Sequence, residues 1–289
     1  MILNETYTLS NGVRIPRLGL GTWVMTDEQA ENAVVNAVKA GYRLIDTAEA
    51  YENEKGVGDG VKKCGFKRDE IFVTSKIRAE YKSYASAKKA IDDSLAVSGL
   101  DYLDLMIIHC PEPWAEFRGE KKYFGENLEV WRALEDAYRA GKLRAIGVSN
   151  FLKDDLDNVL HNCTVKPMVN QILAHISNTP FSLINYCKES GVLTEAYSPI
   201  AHGEALKNRL ITELAAKYNV SPARLCIRYI LNLGMVALPK ATSDEHIRDN
   251  ANVDFEISDE DMLALKNAEP IKDYGEFTYF PVFSGKNYK

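Results

Sequence analysis

Three short apolar stretches in the first half of the chain end in residues that can carry or stabilise a proton. Tyr42 to Ile45 leads into Asp46, with Tyr51 a few residues on; Ile71 to Val73 leads through Thr74 and Ser75 into Lys76; Leu103 to Ile108 leads into His109. A core strand has no use for an ionisable terminus, whereas an active site at the C-terminal ends of parallel strands needs one. A phenol, an ammonium, a buried carboxylate and an imidazole would together make a site for reducing C=O. Such a reduction puts a hydride on carbon and a proton on oxygen, so the protein must supply the proton and steady the developing alkoxide. A free phenol has a pKa of about 10, too high for efficient acid–base work near neutrality. A neighbouring ammonium lowers it. Tyr51 is therefore the expected proton donor and Lys76 its tuner. Asp46 is expected to pair with Lys76, and His109 to hydrogen-bond the carbonyl oxygen. Alone, each would pass as packing or an ion pair; four of them at neighbouring strand ends would not.

These groups need a frame, and the pattern that supplies it continues along the chain. Arg17 to Thr22 precedes Trp23, Arg144 to Val148 precedes Ser149 and Asn150, and Met168-Val169 precedes Asn170 and Gln171. Gly191 to Ala196 precedes Tyr197 and Ser198, and Met235 to Pro239 precedes Lys240. With the first three stretches this makes eight units, each apolar within and polar at its C-terminal end, as strands of a buried parallel sheet require. Helical signals lie between them. Thr26-Asp27-Glu28 caps a run stopped by Gly41. Further helices are expected over 86–99, 127–141, from Thr179-Pro180 to Gly191, and over 208–218, 221–233 and 258–267. Eight strand–helix units point to an α/β fold closed as a (β/α)8 TIM barrel. Two segments stand outside the alternation. Residues 5–16 read as an N-terminal β-hairpin with Asn11-Gly12 as a two-residue turn, placed to plug the N-terminal mouth. Residues 272–289 form a C-terminal aromatic loop with Tyr274, Phe277, Tyr279, Phe280, Phe283 and Tyr288, expected to dock beside the substrate pocket.

Composition narrows the class. The chain has 289 residues, no linker or composition break, and reads as one barrel domain over 1–289. Its net charge is −6 with no basic run, which argues against a nucleic-acid partner. No apolar run approaches the roughly 20 residues of a membrane span. Met1-Ile-Leu-Asn-Glu has neither a basic segment nor an apolar core, so no signal peptide is expected, and a cytoplasmic location is. The five cysteines (64, 110, 163, 187 and 226) lack C-x-x-C spacing, which suits reduced thiols rather than a disulfide frame or a metal site.

Eight motifs carry a family resemblance. They are Gly19-Leu-Gly-Thr-Trp23, Asp46-Thr-Ala-Glu-Ala-Tyr51-Glu-Asn-Glu54, Val73-Thr-Ser-Lys76 and Ile107-Ile-His-Cys-Pro111, followed by Ile146-Gly-Val-Ser-Asn-Phe151, Val169-Asn-Gln171, Ala196-Tyr-Ser-Pro199 and Leu238-Pro-Lys240. In this order and at barrel spacing, the chain resembles the aldo-keto reductases over essentially its whole length. The resemblance implies a nicotinamide coenzyme held by a barrel without a Rossmann domain, and no G-x-G-x-x-G follows a strand here. It assigns the proton chemistry to Asp46, Tyr51, Lys76 and His109. It implies that Thr22, Trp23, Asp46, Ser149, Asn150 and Gln171 lie against the nicotinamide end, with Tyr197 stacked on the ring. Ser198 and Ile200 belong to a short loop, 198–206, over the pyrophosphate, which suggests a loosely clasped coenzyme. Lys240, Ala241, Thr242, His246, Asp249 and Asn250 would meet the adenosine end.

Departures from the family pattern refine the expectation. Ala241 stands where a Ser is usual, and His246 where many members place an Arg on the 2′-phosphate. A neutral imidazole lacks the permanent charge and fork of guanidinium. NADPH/NADP+ is therefore the expected coenzyme, with preference weakened and NADH also usable. Arg248 should point away. Cys110 replaces a pocket Trp, which Trp114 partly restores; Trp23, Cys110 and Trp114 are the expected substrate pocket, with Phe117 and the aromatic tail beside them. Leu173 stands where many members have Glu. The substrate is a small carbonyl compound and the protein a monomer or weak dimer. The alternatives are a sugar or polyol dehydrogenase running in reverse, or a non-catalytic, cofactor-sensing partner subunit. The intact four residues favour an enzyme.

Overall fold

The computed structural model describes residues 1–285. A hairpin of β1 (Thr6–Thr8) and β2 (Arg14–Pro16) precedes eight parallel strands: β3 (Leu20–Gly21), β4 (Leu44–Asp46), β5 (Phe72–Ile77), β6 (Leu105–Ile108), β7 (Ile146–Ser149), β8 (Val169–Leu173), β9 (Leu193–Tyr197) and β10 (Val236–Leu238). Each expected strand is present, in sequential order. The barrel closes where the Gly19 and Gly21 amides donate to Ala237 O and Pro239 O at 2.9 and 3.0 Å. The helices are α1 (Asp27–Ala40), α2 (Glu54–Lys63), α3 (Tyr84–Ser98), α4 (Phe124–Arg139), α5 (Lys153–Asn162), α6 (Phe181–Glu189), α7 (Arg209–Lys217), α8 (Pro222–Asn232), α9 (Asp244–Ala251) and α10 (Asp259–Lys266). None is long and apolar enough to cross a membrane.

Local sequence explains most of these boundaries. Thr26 and Gln29 form a capping box at the start of α1, and Gly41 ends it at φ 105°. Ser83 forms a capping box at α3, and the side chains of Asn208, Ser221, Ser243 and Ser258 accept a first-turn amide at α7, α8, α9 and α10. The hairpin departs from the expected two-residue turn. Leu9 and Val13 face each other, the Gly12 amide donates to Leu9 O, and Gly12 takes φ 87° while Asn11 does not take a positive φ. The loop is therefore three residues, Ser10-Asn11-Gly12, because a type I′ turn would need positive φ at Asn11 as well. The hairpin lies at the N-terminal mouth, where Asn11 Nδ2 donates to Arg144 O just before β7.

Helix α2 is the element the sequence hides. Three glycines in ten residues argue against a helix. Packing explains them: a Cβ on Gly56 would lie 2.1 Å from Asp27 O, and one on Gly58 only 1.9 Å from Ser98 O. The glycines let α2 press against α1 and α3. That contact holds the segment carrying Tyr51, which lies between β4 and α2. Helix α5 was likewise not anticipated; its short stripe of Leu156 and Val159 sits among acidic residues.

Candidate active site

Three strand ends and one turn converge at the C-terminal mouth. Asp46 ends β4, Lys76 sits near the end of β5, His109 follows β6, and Tyr51 lies on the short 3-10 turn Glu49–Tyr51. Lys76 Nζ donates to Asp46 Oδ2 at 2.7 Å and to Thr47 O at 2.8 Å, with Lys76 fully buried. The same ammonium lies 4.7 Å from the Tyr51 ring centre. The His109 ring stands edge-on to Tyr51 at 5.6 Å and to Trp114 at 5.3 Å. Its Nδ1 is buried with no hydrogen-bond partner among the described residues.

The electrostatics follow from this burial. Desolvation works against the Lys76 ammonium, but Asp46 and Tyr51 outweigh it, and the lysine pKa is raised. Burial raises the Tyr51 phenol pKa, Lys76 opposes this, and Asp46 adds to it. The contribution of Lys76 thus has the expected sign, but it does not win: the net shift is upward, and the phenol keeps its proton. Burial, then Lys76 and Arg78, push His109 well below 6.5, so its imidazole is neutral.

A cavity of about 700 Å³ opens onto these groups. Of the expected residues, Trp23, Asp46, Tyr51, His109, Trp114, Ser149, Asn150, Gln171, Tyr197, Ser198, Ile200 and Lys240 line it. So do Phe277, Phe280, Val282 and Phe283 of the aromatic loop, with Trp114 and Phe280 at 4.9 Å. Tyr279 is exposed, and Tyr288 lies outside the described residues. Several of the lining polar groups are already paired with one another. Asn150 Nδ2 donates to His109 O and Ser149 Oγ, both at 3.0 Å, and its Oδ1 accepts from Tyr197 OH at 2.6 Å.

Other expected residues stand elsewhere. Cys110 is fully buried with its thiol toward Glu112 and does not line the cavity. Phe117 is also buried, behind Trp114. Thr22 donates to Asp46 O at 2.9 Å from beneath the rim. Ala241 and Asn250 are buried, whereas Thr242 and His246 are exposed around the start of α9. Asp249 accepts from Ser221, the residue that caps α8. Arg248 pairs with Asp244 at 2.8 Å and points away, as the helix spacing predicts. Leu173 is buried in β8.

Three further residues, on no expected list, face the same space. Arg78, Glu80 and His202 line the cavity. The His202 ring lies parallel to Phe277 at 4.2 Å and edge-on to Phe283 at 4.4 Å, and Nε2 is 3.2 Å from Ser198 Oγ. Glu195 of β9 is fully buried beside Gln171. An acidic residue inside an apolar strand was the available signal.

Comparison with known proteins decides the family. The family model described as "Aldo/keto reductase family" matches residues 17–270. The chain belongs to the aldo-keto reductase family. Among its relatives, the glyoxal reductase of Bacillus subtilis is 44% identical over 90% of this chain and 91% of that protein. The 9,11-endoperoxide prostaglandin H2 reductase of Trypanosoma cruzi is 40% identical over 93% of each chain. The Bombyx mori aldo-keto reductase, solved in complex with NADP, superposes with a TM-score of 0.82 at 30% identity, covering 96% of this chain and 98% of that one. This aldo-keto reductase is thus an oxidoreductase on a (β/α)8 barrel with an N-terminal hairpin.

Proposed function

We propose that this aldo-keto reductase reduces small aldehydes and ketones to alcohols with a nicotinamide coenzyme, Tyr51 giving the proton. The observation that carries the reading is the grouping of Asp46, the Tyr51 phenol and the neutral His109 on the cavity wall, with the buried Lys76 behind them, paired to Asp46 and 4.7 Å from the Tyr51 ring centre. When bound, the coenzyme supplies the hydride.

The chain's own groups divide the remaining work. Tyr51 is a protonated acid at the cavity surface. Lys76, held charged by Asp46, favours the phenolate left after proton transfer. The neutral His109 offers its ring to the carbonyl oxygen without a competing charge. Trp23, Trp114 and Phe280 make an apolar wall, which suits carbonyl compounds with few polar demands.

The residues present fit an NADP(H)-type ligand. The Lys240 side chain makes no ion pair or hydrogen bond among the described residues, and it stands beside the N-terminus of α9, where free amides attract anions. Tyr197 presents its ring on the cavity wall, with Ser149, Asn150 and Gln171 beside it. Lys240 favours NADPH, while the exposed His246 in place of a fixed cation leaves NADH usable. Turnover of glyoxal, methylglyoxal and simple aromatic aldehydes with each coenzyme tests the reading. Tyr51→Phe is expected to lower kcat by at least about a hundredfold with coenzyme binding retained. Full activity in that variant would overturn the assignment.

A further inference from the structure

One buried ionisable group touches the proposed machinery without having a part in it. Glu195 sits in the middle of β9, fully shielded from solvent. Gln171 Nε2 donates to Glu195 Oε2 at 2.9 Å and to Asp46 Oδ1 at 2.8 Å, so a single amide group bridges two carboxyl groups. The other carboxylate oxygen of Asp46 holds Lys76 Nζ. Glu195 Oε1 is buried with no hydrogen-bond partner among the described residues. A purely structural acceptor for Gln171 needs no ionisable group, and a buried carboxylate with an unpaired oxygen is costly.

We propose that Glu195 is a positioning residue for the proton donor, setting the acidity of Tyr51 through Gln171 and the Asp46–Lys76 pair. This rests on the reading of Tyr51 as the donor. The charged groups facing Glu195 are Asp46 from β4 and Lys76 from β5; Gln171 from β8 is neutral, and Val236, its register partner on β10, is apolar. Burial first, then Asp46, push its carboxyl up to about 7, against the pull of Gln171 and Lys76. With Glu195 neutral, Lys76 answers to one carboxylate and keeps more of its pull for the phenol. Ionised Glu195 places a second negative charge in the same dry cluster. It acts on Tyr51 in the direction in which Asp46 already does, against the phenolate.

The test follows the ionisation of Tyr51 in two ways. In the alcohol-oxidising direction with NADP+, kcat/KM rises as the free-enzyme base loses its proton. Glu195→Gln should move that midpoint down by about 0.5–1 unit. Carbon NMR of ring-labelled tyrosine should show the same displacement without coenzyme, the Tyr51 signal being the one missing from Tyr51→Phe. Glu195→Met is also neutral and should shift both midpoints likewise, which covers a Gln variant that fails to fold. Glu195→Asp keeps a carboxyl group and should stay nearer the wild-type midpoint. Unmoved midpoints in a folded neutral variant overturn the proposal, as does an equal shift in Glu195→Asp, which would mark simple repacking. Absence of any carbonyl turnover by the wild type would instead overturn the functional reading.

Discussion

Lys76 Nζ meets Asp46 Oδ2 at 2.7 Å, with the lysine sealed from solvent and the aspartate nearly so. Removing one partner of such a pair leaves an uncompensated buried charge. Lys76→Met is therefore expected to destabilise the fold by about 3–5 kcal/mol as well as to slow turnover. Urea unfolding monitored by circular dichroism reads the first effect. Wild-type stability in the variant would mean that solvent reaches Asp46.

Coenzyme choice should turn on Lys240. Loss of a charge-assisted contact to a 2′-phosphate costs about 1.5–3 kcal/mol, so Lys240→Ala should weaken NADPH by roughly tenfold or more. NADH, which lacks that phosphate, should be affected far less. Fluorescence titration with both coenzymes decides the matter; equal weakening of the two would place the lysine elsewhere on the dinucleotide.

Acid stability should depend on His175. Its ring is buried between Ile176 O and Tyr274 OH, and burial lowers its pKa from 6.5 to about 4. The unfolded chain therefore binds the proton more readily, and stability falls as pH drops from 6.5 to 4. The loss approaches about 3 kcal/mol at the acid end. Unfolding free energies of His175→Gln should show a correspondingly shallower slope over that window, with no difference in slope above pH 7.

Gly58→Ala sets two effects against each other. Helix propensity favours alanine by about 1 kcal/mol. The added methyl would meet the Ser98 carbonyl at 1.9 Å, backbone against backbone, so α2 must move off α3. A net loss of about 1–3 kcal/mol is expected, and a shift of α2 would also carry the neighbouring Tyr51 turn. Thermal melting alongside kcat separates the two consequences.

The barrel was legible because its strands are buried on both faces and end in polar residues. The endings of β4, β5 and β6 announced Asp46, Lys76 and His109 directly. What stayed hidden depends on contacts between distant segments. The helix at Glu54–Lys63 owes its existence to how closely its glycines approach Asp27 and Ser98, which no local propensity reports. The upward shift of Tyr51 reflects burial outweighing Lys76, a balance invisible in a motif. Glu195 looked like an irregularity in an apolar strand until Gln171 was seen to join it to Asp46.

The stacking of His202 on Phe277 ties the segment that begins at Ser198 to the chain's aromatic end. The two segments are thereby yoked. Redesign of the tail to admit a bulkier carbonyl should accordingly be felt at the opposite rim, as faster exchange of the dinucleotide.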